Sequence, residues 1–180
     1  METRIFGDKK IIIRKLTPSD VNQPEKFQKF VNSLIAEDAM ILMNTKKTKK
    51  DELEWLKRRL KEVKQRKAVY LIAENNKEIV GTCNILLERE RSNHIGGLGI
   101  AVKQGFRGIG LGKYLMENSI KMAKADLRPT PKIIELGVYE GNLPAIALYK
   151  KMGFKPVAKI PNSVQYKGKL IVKIIMQLEI

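Results

Sequence analysis

One stretch decides the fold: Gly105-Phe106-Arg107-Gly108-Ile109-Gly110-Leu111-Gly112-Lys113. It follows an apolar run typical of a strand and opens a segment with helical periodicity. Glycine allows a sharp turn and lets an anion approach the main-chain N–H groups. The free N–H groups and the dipole at the start of a helix attract negative charge, to which Arg107 and Lys113 add positive charge. The stretch therefore predicts either a phosphate or pyrophosphate site or a plain tight connection.

Two commoner phosphate-binding patterns do not match this stretch. The P-loop requires a glycine where the chain has Arg107, and a serine or threonine where it has Tyr114. The dinucleotide fingerprint, started at Gly108, requires its last glycine at the position of Lys113. A phosphate ligand bound here would therefore belong to another class.

The residues on either side of the turn alternate between strand and helix patterns. Apolar residues at helical spacing, such as Phe27, Phe30 and Leu34, predict one-sided helices. Thr48 stands three residues before Asp51, as in a capping box. The pattern predicts strands over 10–16, 68–74, 79–87, 94–102, 132–139, 154–160 and 169–178, and helices from Pro24, from Thr48, over 111–125 and over 144–152.

This order of elements predicts an α/β (α+β) fold. It places one parallel strand–helix–strand crossover inside a mixed, mostly antiparallel sheet of about seven strands, with flanking helices. A length of 180 residues suits one domain over 1–180, with its core over about 10–180.

A second group of residues follows the glycine turn. It consists of Asn142, Ala145, Leu148-Tyr149 and Gly153-Phe154. Together with Arg107, Gly110 and Gly112, it resembles the two signatures of the GNAT superfamily of acetyltransferases, Q/R-x-x-G-x-G/A and N-x-x-A-x-x-L-Y-x-x-x-G-F. The resemblance covers nearly the whole chain. It implies an N-acetyltransferase that transfers the acetyl group of acetyl-CoA to a primary amine by direct attack on the thioester.

The resemblance also implies where acetyl-CoA would bind. The backbone of Ile100, Ala101 and Val102 would pair with the pantetheine arm, and the side-chain amide of Asn142 would contact it. No metal is expected. The pyrophosphate would be held by the backbone N–H groups of Arg107, Gly108, Ile109, Gly110, Leu111, Gly112 and Lys113.

Tyr149 is the candidate general acid, because a departing thiolate needs a proton or a strong hydrogen bond. The alternative interpretation is a helix tyrosine packed on the sheet. Many family members carry a basic glutamate on their fourth strand, and counting along this chain places Gly96 there. Glu88 and Glu135 are the substitute candidates for the base, and a chain of waters remains an alternative. His94, the only histidine, can titrate near neutral pH but is also typical of a plain surface residue.

The net charge of +16 favours a polyanionic partner such as nucleic acid or a ribosome. Lysines spread over solvated helix faces explain the same charge without a partner. The alternative function is accordingly a GNAT-like module that binds CoA or nucleic acid without turnover. A homodimer is common in the family.

The one cysteine, Cys83, lies in an apolar run and is expected in the core. No apolar stretch has the length of a membrane span, and no targeting pattern is evident at the N-terminus, so the sequence predicts a cytoplasmic protein.

Overall fold

The fold is organised around one sheet whose strands separate near its middle. The computed structural model describes all 180 residues. Its elements in chain order are β1 (Glu2–Phe6), β2 (Lys9–Lys15), α1 (Pro24–Ala36), α2 (Lys49–Lys64), β3 (Ala68–Asn75), β4 (Glu78–Leu87), β5 (Ile95–Val102), α3 (Leu111–Asp126), β6 (Ile133–Tyr139), α4 (Leu143–Lys151), β7 (Lys155–Tyr166) and β8 (Lys169–Glu179).

The eight strands form a single sheet in the order β1-β2-β3-β4-β5-β6-β8-β7. Only β5 and β6 pair in parallel, and α3 makes the crossover between them. All other neighbours are antiparallel. The predicted mixed α/β fold is therefore confirmed.

The strand that the sequence pattern missed is β1. It pairs with β2 through the register Glu2↔Ile13 to Phe6↔Lys9, which makes eight strands where about seven were predicted. Its side chains are almost all exposed, so no alternation of apolar and polar residues marks it. The predicted core boundary at about residue 10 consequently left this edge strand out.

Each face of the sheet carries its own apolar core, because successive side chains of a strand point to opposite faces. On one face α3 and α4 pack on the central strands, with Leu115 and Met116 fully buried. On the other face α1 and α2 bury Phe27, Leu34 and Leu56 against β3. None of the four helices combines the length and apolar character that a membrane span requires.

The start of α2 follows the predicted capping box. The backbone N–H of Asp51 donates to the Thr48 hydroxyl over 3.2 Å, and the Thr48 N–H donates to the Asp51 carboxylate over 2.8 Å. This reciprocal pair satisfies N–H groups that have no partner inside the helix. It fixes where α2 begins over the sheet.

Gly96 faces the core and not a ligand site. A Cβ atom at this position would lie 2.7 Å from Cγ2 of Ile85 and 3.1 Å from Cδ1 of Ile134. Both neighbours are fully buried. The position that sequence counting assigned to the family's basic glutamate therefore has no room for a side chain. A glutamate there would be forced into apolar packing.

We expect Gly96→Ala to lower the free energy of unfolding by about 1–3 kcal/mol, the usual cost of overpacking a core. Gly97→Ala is the matched control on the same strand, because its nearest neighbour, Oε1 of Glu88, lies at an ordinary 3.4 Å. Urea denaturation of the two variants measures the difference. Equal midpoints would contradict the packing described for Gly96.

Candidate functional site

A cleft opens where β5 and β6 diverge. The two strands pair only from Ile95↔Ile133 to Gly97↔Glu135. Beyond these residues a cavity of about 1220 Å³ separates them. Because the edge of β5 that faces β6 loses its strand partner there, its backbone groups are available to an extended ligand. The three β5 residues predicted to contact pantetheine, Ile100, Ala101 and Val102, line this cavity.

The glycine turn closes one end of the cleft. Gly105, Gly108 and Gly110 have φ values of 84°, 77° and 88°, in the left-handed region that favours glycine. No atom lies within 4 Å of a Cβ built at any of the three, so the space above this backbone is open. Gly110 directly precedes α3, whose first N–H groups have no partner inside the helix. The turn therefore provides the concave, N–H-rich surface that a phosphate requires.

The predicted turn residues do not all face the cleft. Arg107, Gly108, Gly110, Gly112 and Lys113 line it. Leu111 is fully buried in the core, and Ile109 packs beside it with a contact to Gly7. These two residues offer only their backbone to a ligand.

Arg107 is already engaged by the protein. Its Nε donates to the carbonyl oxygen of Val102 over 2.7 Å, and its guanidinium pairs with Glu37. Glu37 also accepts a hydrogen bond from the backbone N–H of Gln104 over 3.1 Å. Arg107 thus holds the shape of the turn, and Glu37 partly compensates its charge. Lys113 forms only a half-exposed pair with Glu117 at 3.6 Å, which contributes little stability.

Tyr149 and Asn142 reach the cleft from α4. Asn142 caps this helix, because its Oδ1 accepts from the backbone N–H of Ala145 over 3.4 Å, and its NH₂ group is left for another partner. Tyr149 is 8% exposed and lines the cleft. Burial raises the pKa of its phenol to about 12, so Tyr149 is protonated and a hydrogen-bond donor at neutral pH. The ring packs beside Phe154, which accounts for the burial.

The two candidate bases lie together. Glu88 and Glu135 both line a smaller cavity of about 260 Å³. Gly97 lies between them: it pairs with Glu135 in register, and Oε1 of Glu88 lies 3.4 Å from the position of its absent Cβ. The Nε2 of Gln177 donates to the Glu135 carboxylate over 2.8 Å. His94 lines neither cavity.

The smaller cavity continues the main cleft. Both are bordered by Asn84, Leu98, Gly99, Leu136, Gly137 and Lys173. The two glycines make room for neighbouring side chains: a Cβ at Gly137 would overlap Cε of Lys173, and one at Gly99 would lie 3.0 Å from Oδ1 of Asn84. Polar groups of Lys173 and Asn84 therefore lie between the two carboxylates and the divergence of the strands.

Sequence reasoning did not select many polar residues of the cleft wall, among them Glu37, Glu52 and Asn84. Glu37 and Asn84 show no pattern that separates them from surface residues. Glu52 carries a signal, because it stands one helical turn before Leu56 on the face of α2 that packs against the sheet. Leu53, the apolar residue next to it, is less buried than Glu52.

The chain matches known proteins over most of its length. The family described as Acetyltransferase (GNAT) family matches residues 34–154. The L-amino acid N-acetyltransferase AaaT of Escherichia coli is 36% identical over 86 residues, 47% of this chain and 52% of that protein. An N-alpha-acetyltransferase of Sulfurisphaera tokodaii is 33% identical over 106 residues, 53% of this chain and 61% of that protein. The chain thus spans about half the length of the curated relatives it matches.

Solved structures share the whole fold. A GNAT-family acetyltransferase from Streptococcus pneumoniae superposes with a TM-score of 0.81 at 26% identity, over 94% of this chain and 99% of that one. A phosphinothricin acetyltransferase from Sinorhizobium meliloti, solved in complex with AcCoA, superposes with a TM-score of 0.75 at 14% identity, over 94% of this chain and 88% of that one. The second likeness concerns the fold alone.

Cys83 is fully buried on β4, and burial raises the pKa of its thiol to about 12. A thiol in this state is a poor nucleophile, since the thiolate is the reactive form. We therefore expect no alkylation of the native chain by iodoacetamide at neutral pH and complete alkylation after unfolding in urea. Intact-mass measurement distinguishes the two states. Rapid modification of the native chain would show that Cys83 is accessible and reactive.

Proposed function

The chain belongs to the acetyltransferase (GNAT) family, and on that premise we propose that it is an N-acetyltransferase that transfers the acetyl group of acetyl-CoA to a primary amine. One observation carries the proposal. A single cleft contains an N–H-rich glycine turn, a free strand edge and the protonated hydroxyl of Tyr149. These are the three features that a phosphate-bearing thioester donor and its departing thiolate need.

The residues present fit acetyl-CoA. The open turn over Gly108 and Gly110 accepts a pyrophosphate, and the strand edge at Ile100 to Val102 accepts an extended, amide-containing arm. The NH₂ group of Asn142 is a further donor on the opposite wall. In this proposal Arg107 acts by holding the turn through Val102 and Glu37.

The proposed chemistry follows from the positions of one phenol, that of Tyr149, and two carboxylates, those of Glu88 and Glu135. The bound coenzyme supplies an acetyl thioester, whose carbonyl carbon gains a bond to nitrogen and loses its bond to sulfur. Tyr149 donates the proton or hydrogen bond that the departing sulfur needs. Glu88 or Glu135 accepts, through water, the proton that the amine nitrogen loses. One proton leaves nitrogen and one reaches sulfur, so the products are a neutral amide and a thiol.

A direct attack is favoured over an acetylated enzyme. Cys83 is the only cysteine, and it is buried with a raised pKa. The chain therefore lacks a reactive cysteine to carry the acetyl group. The relatives named above act on L-amino acids and on N-alpha groups, which favours an α-amine as the acceptor.

The large positive charge keeps a second hypothesis open. The exposed faces of α2 and α3 carry lysines, among them Lys57, Lys61, Lys121 and Lys124. Such faces suit either solvent or a nucleic acid or ribosome surface. The cytoplasmic location and a homodimer likewise stay predictions of the sequence.

Turnover itself is tested with acetyl-CoA and a panel of primary amines, with released thiol as the readout. We expect Tyr149→Phe to lower kcat by about 100-fold to 10,000-fold, the usual contribution of a general acid. Its dissociation constant for acetyl-CoA should change little, since the phenol contributes to proton transfer more than to binding. A wild type without turnover, or a Tyr149→Phe variant with unchanged kcat, would contradict the proposed role.

The phosphate site is tested separately by Gly110→Asp. The new carboxylate places negative charge beside the phosphates, so we expect the affinity for acetyl-CoA to fall by about 10-fold or more in calorimetric titration. Gly168→Asp is the matched control, because Gly168 also has a positive φ, 74°, and open space, but lies in the β7–β8 turn. Both variants share the backbone strain. Equal affinities for the two would place the phosphates elsewhere.

A further inference from the structure

The side of the cleft formed by α1, segment 37–47 and α2 is a chamber lined by both apolar and charged residues. Its position on the sheet face opposite α3 and α4 separates it from the glycine turn. Segment 37–47 is held over it by two hydroxyls: Tyr139 donates to the carbonyl oxygen of Ile41 and Tyr166 to that of Asp38, each over 2.8 Å. We call this space the acceptor chamber, and its lining includes Phe30, Leu34, Ile41, Trp55, Tyr70 and Glu52.

Glu52 is the unusual member of this lining. Only 5% of the residue is exposed, and its carboxylate makes no hydrogen bond or ion pair within the protein. Burial raises the pKa of this carboxyl group, and Lys47, the cation that opposes the increase, lies beyond salt-bridge distance. Neither of its oxygens is sealed from solvent, so the carboxylate opens into the chamber, where its reduced hydration is unfavourable without a partner. Its presence in a chamber wall points to a positive group that arrives with a ligand.

The helix does not explain the burial of Glu52. An acidic residue in the first turn gains from the helix dipole whether or not it is buried. Asp51 already satisfies the start of α2 through Thr48. The other acidic residues of α2 are exposed, as Glu54 is, or paired, as Glu62 is with Arg59. Glu54 also lines the chamber, but its side chain is exposed, so Glu52 is the acidic residue of α2 that is both buried and unpaired there.

Glu52 lies away from the reacting amine. Glu52 and Tyr70 both line the chamber, and the charge of Glu52 adds to the effect of burial in raising the pKa of the Tyr70 phenol. Tyr70 pairs with Asn84, and Asn84 with Gly99, so two strand spacings separate Tyr70 from β5. At about 4.8 Å for each spacing, the separation is about 10 Å. The reaction takes place at the far side of β5, where Tyr149 lines the divergence.

We propose that Glu52 binds a second positively charged group of the acceptor, joined by an apolar chain to the amine that is acetylated. The inference rests on the proposed function. The apolar walls suit the methylene chain, and the carboxylate suits an ammonium or guanidinium group at its end. Aliphatic diamines and basic amino acids such as L-lysine share this chemistry. Glu52 is then a specificity-determining residue that acts on acceptor binding.

The test compares acceptors that differ only in the second charge. α,ω-Diamines of increasing length are matched with monoamines, and L-lysine with L-leucine, with thiol release as the readout. We expect wild type to favour the acceptors with two charges. Glu52→Gln raises their KM by about 10-fold or more, as the loss of a charged hydrogen bond does, and leaves kcat and the monoamines within about two-fold. A comparison of the KM values for the diamines with the KM for L-lysine shows which of these two classes of acceptor the protein prefers.

Glu179→Gln is the matched control, since it removes the same charge from an exposed position that lines neither cavity. It should leave every KM near that of wild type. The melting temperature of Glu52→Gln should equal or exceed that of wild type, because an unpaired buried charge is removed. A lower melting temperature with a uniform loss for all acceptors would show a structural role and overturn the inference.

Two further outcomes separate this inference from the proposed function. Wild type that acetylates amines without favouring a second charge, or a Glu52→Gln variant that keeps the preference, would overturn the inference alone. Absence of turnover with every amine would overturn both.

Discussion

The divergence of β5 from β6 is the constraint on which the rest of the site depends. Each strand remains fully paired on its other side, β5 with β4 and β6 with β8. The backbone groups left without strand partners therefore face each other across one gap. A buried peptide group needs a partner, so this gap must hold water or a ligand with its own donors and acceptors. A single parallel pair inside an antiparallel sheet thus creates a binding site from main-chain geometry alone.

The two faces of the sheet contribute different parts of this site. The glycine turn, α3 and α4 belong to the face with the larger core, and they provide the features suited to the acetyl donor. The face covered by α1 and α2 carries the chamber, and the β7–β8 hairpin reaches across to it through Tyr166. Donor and acceptor would therefore approach from opposite sides and meet at Tyr149.

The sequence predicted most of the helices and strands, because the patterns that indicate them are local. The glycine turn, the Thr48 capping box and the periodic spacing of apolar residues each depend on residues that are close together in the sequence. β1 escaped because an exposed edge strand buries nothing that a pattern could show. Counting along the strand did not reveal that Gly96 lies on the face of β5 that packs into the core. The close approach of Ile85 and Ile134 shows this face. Glu88 and Glu135 approach each other across Gly97, although their segments are far apart in sequence. Local sequence patterns cannot predict such a long-range approach.

Glu37 gives these opposite sides a direct mechanical connection. This one carboxylate ends α1 and binds both the guanidinium of Arg107 and the N–H of Gln104. A movement of segment 37–47 changes that contact, and with it the free energy of the glycine turn. Linkage makes such an effect reciprocal: whatever an acceptor does to coenzyme affinity through this contact, the coenzyme does equally to acceptor affinity. Any coupling between the two substrates through this contact would then depend on one side chain that touches neither reacting atom, whichever substrate binds first.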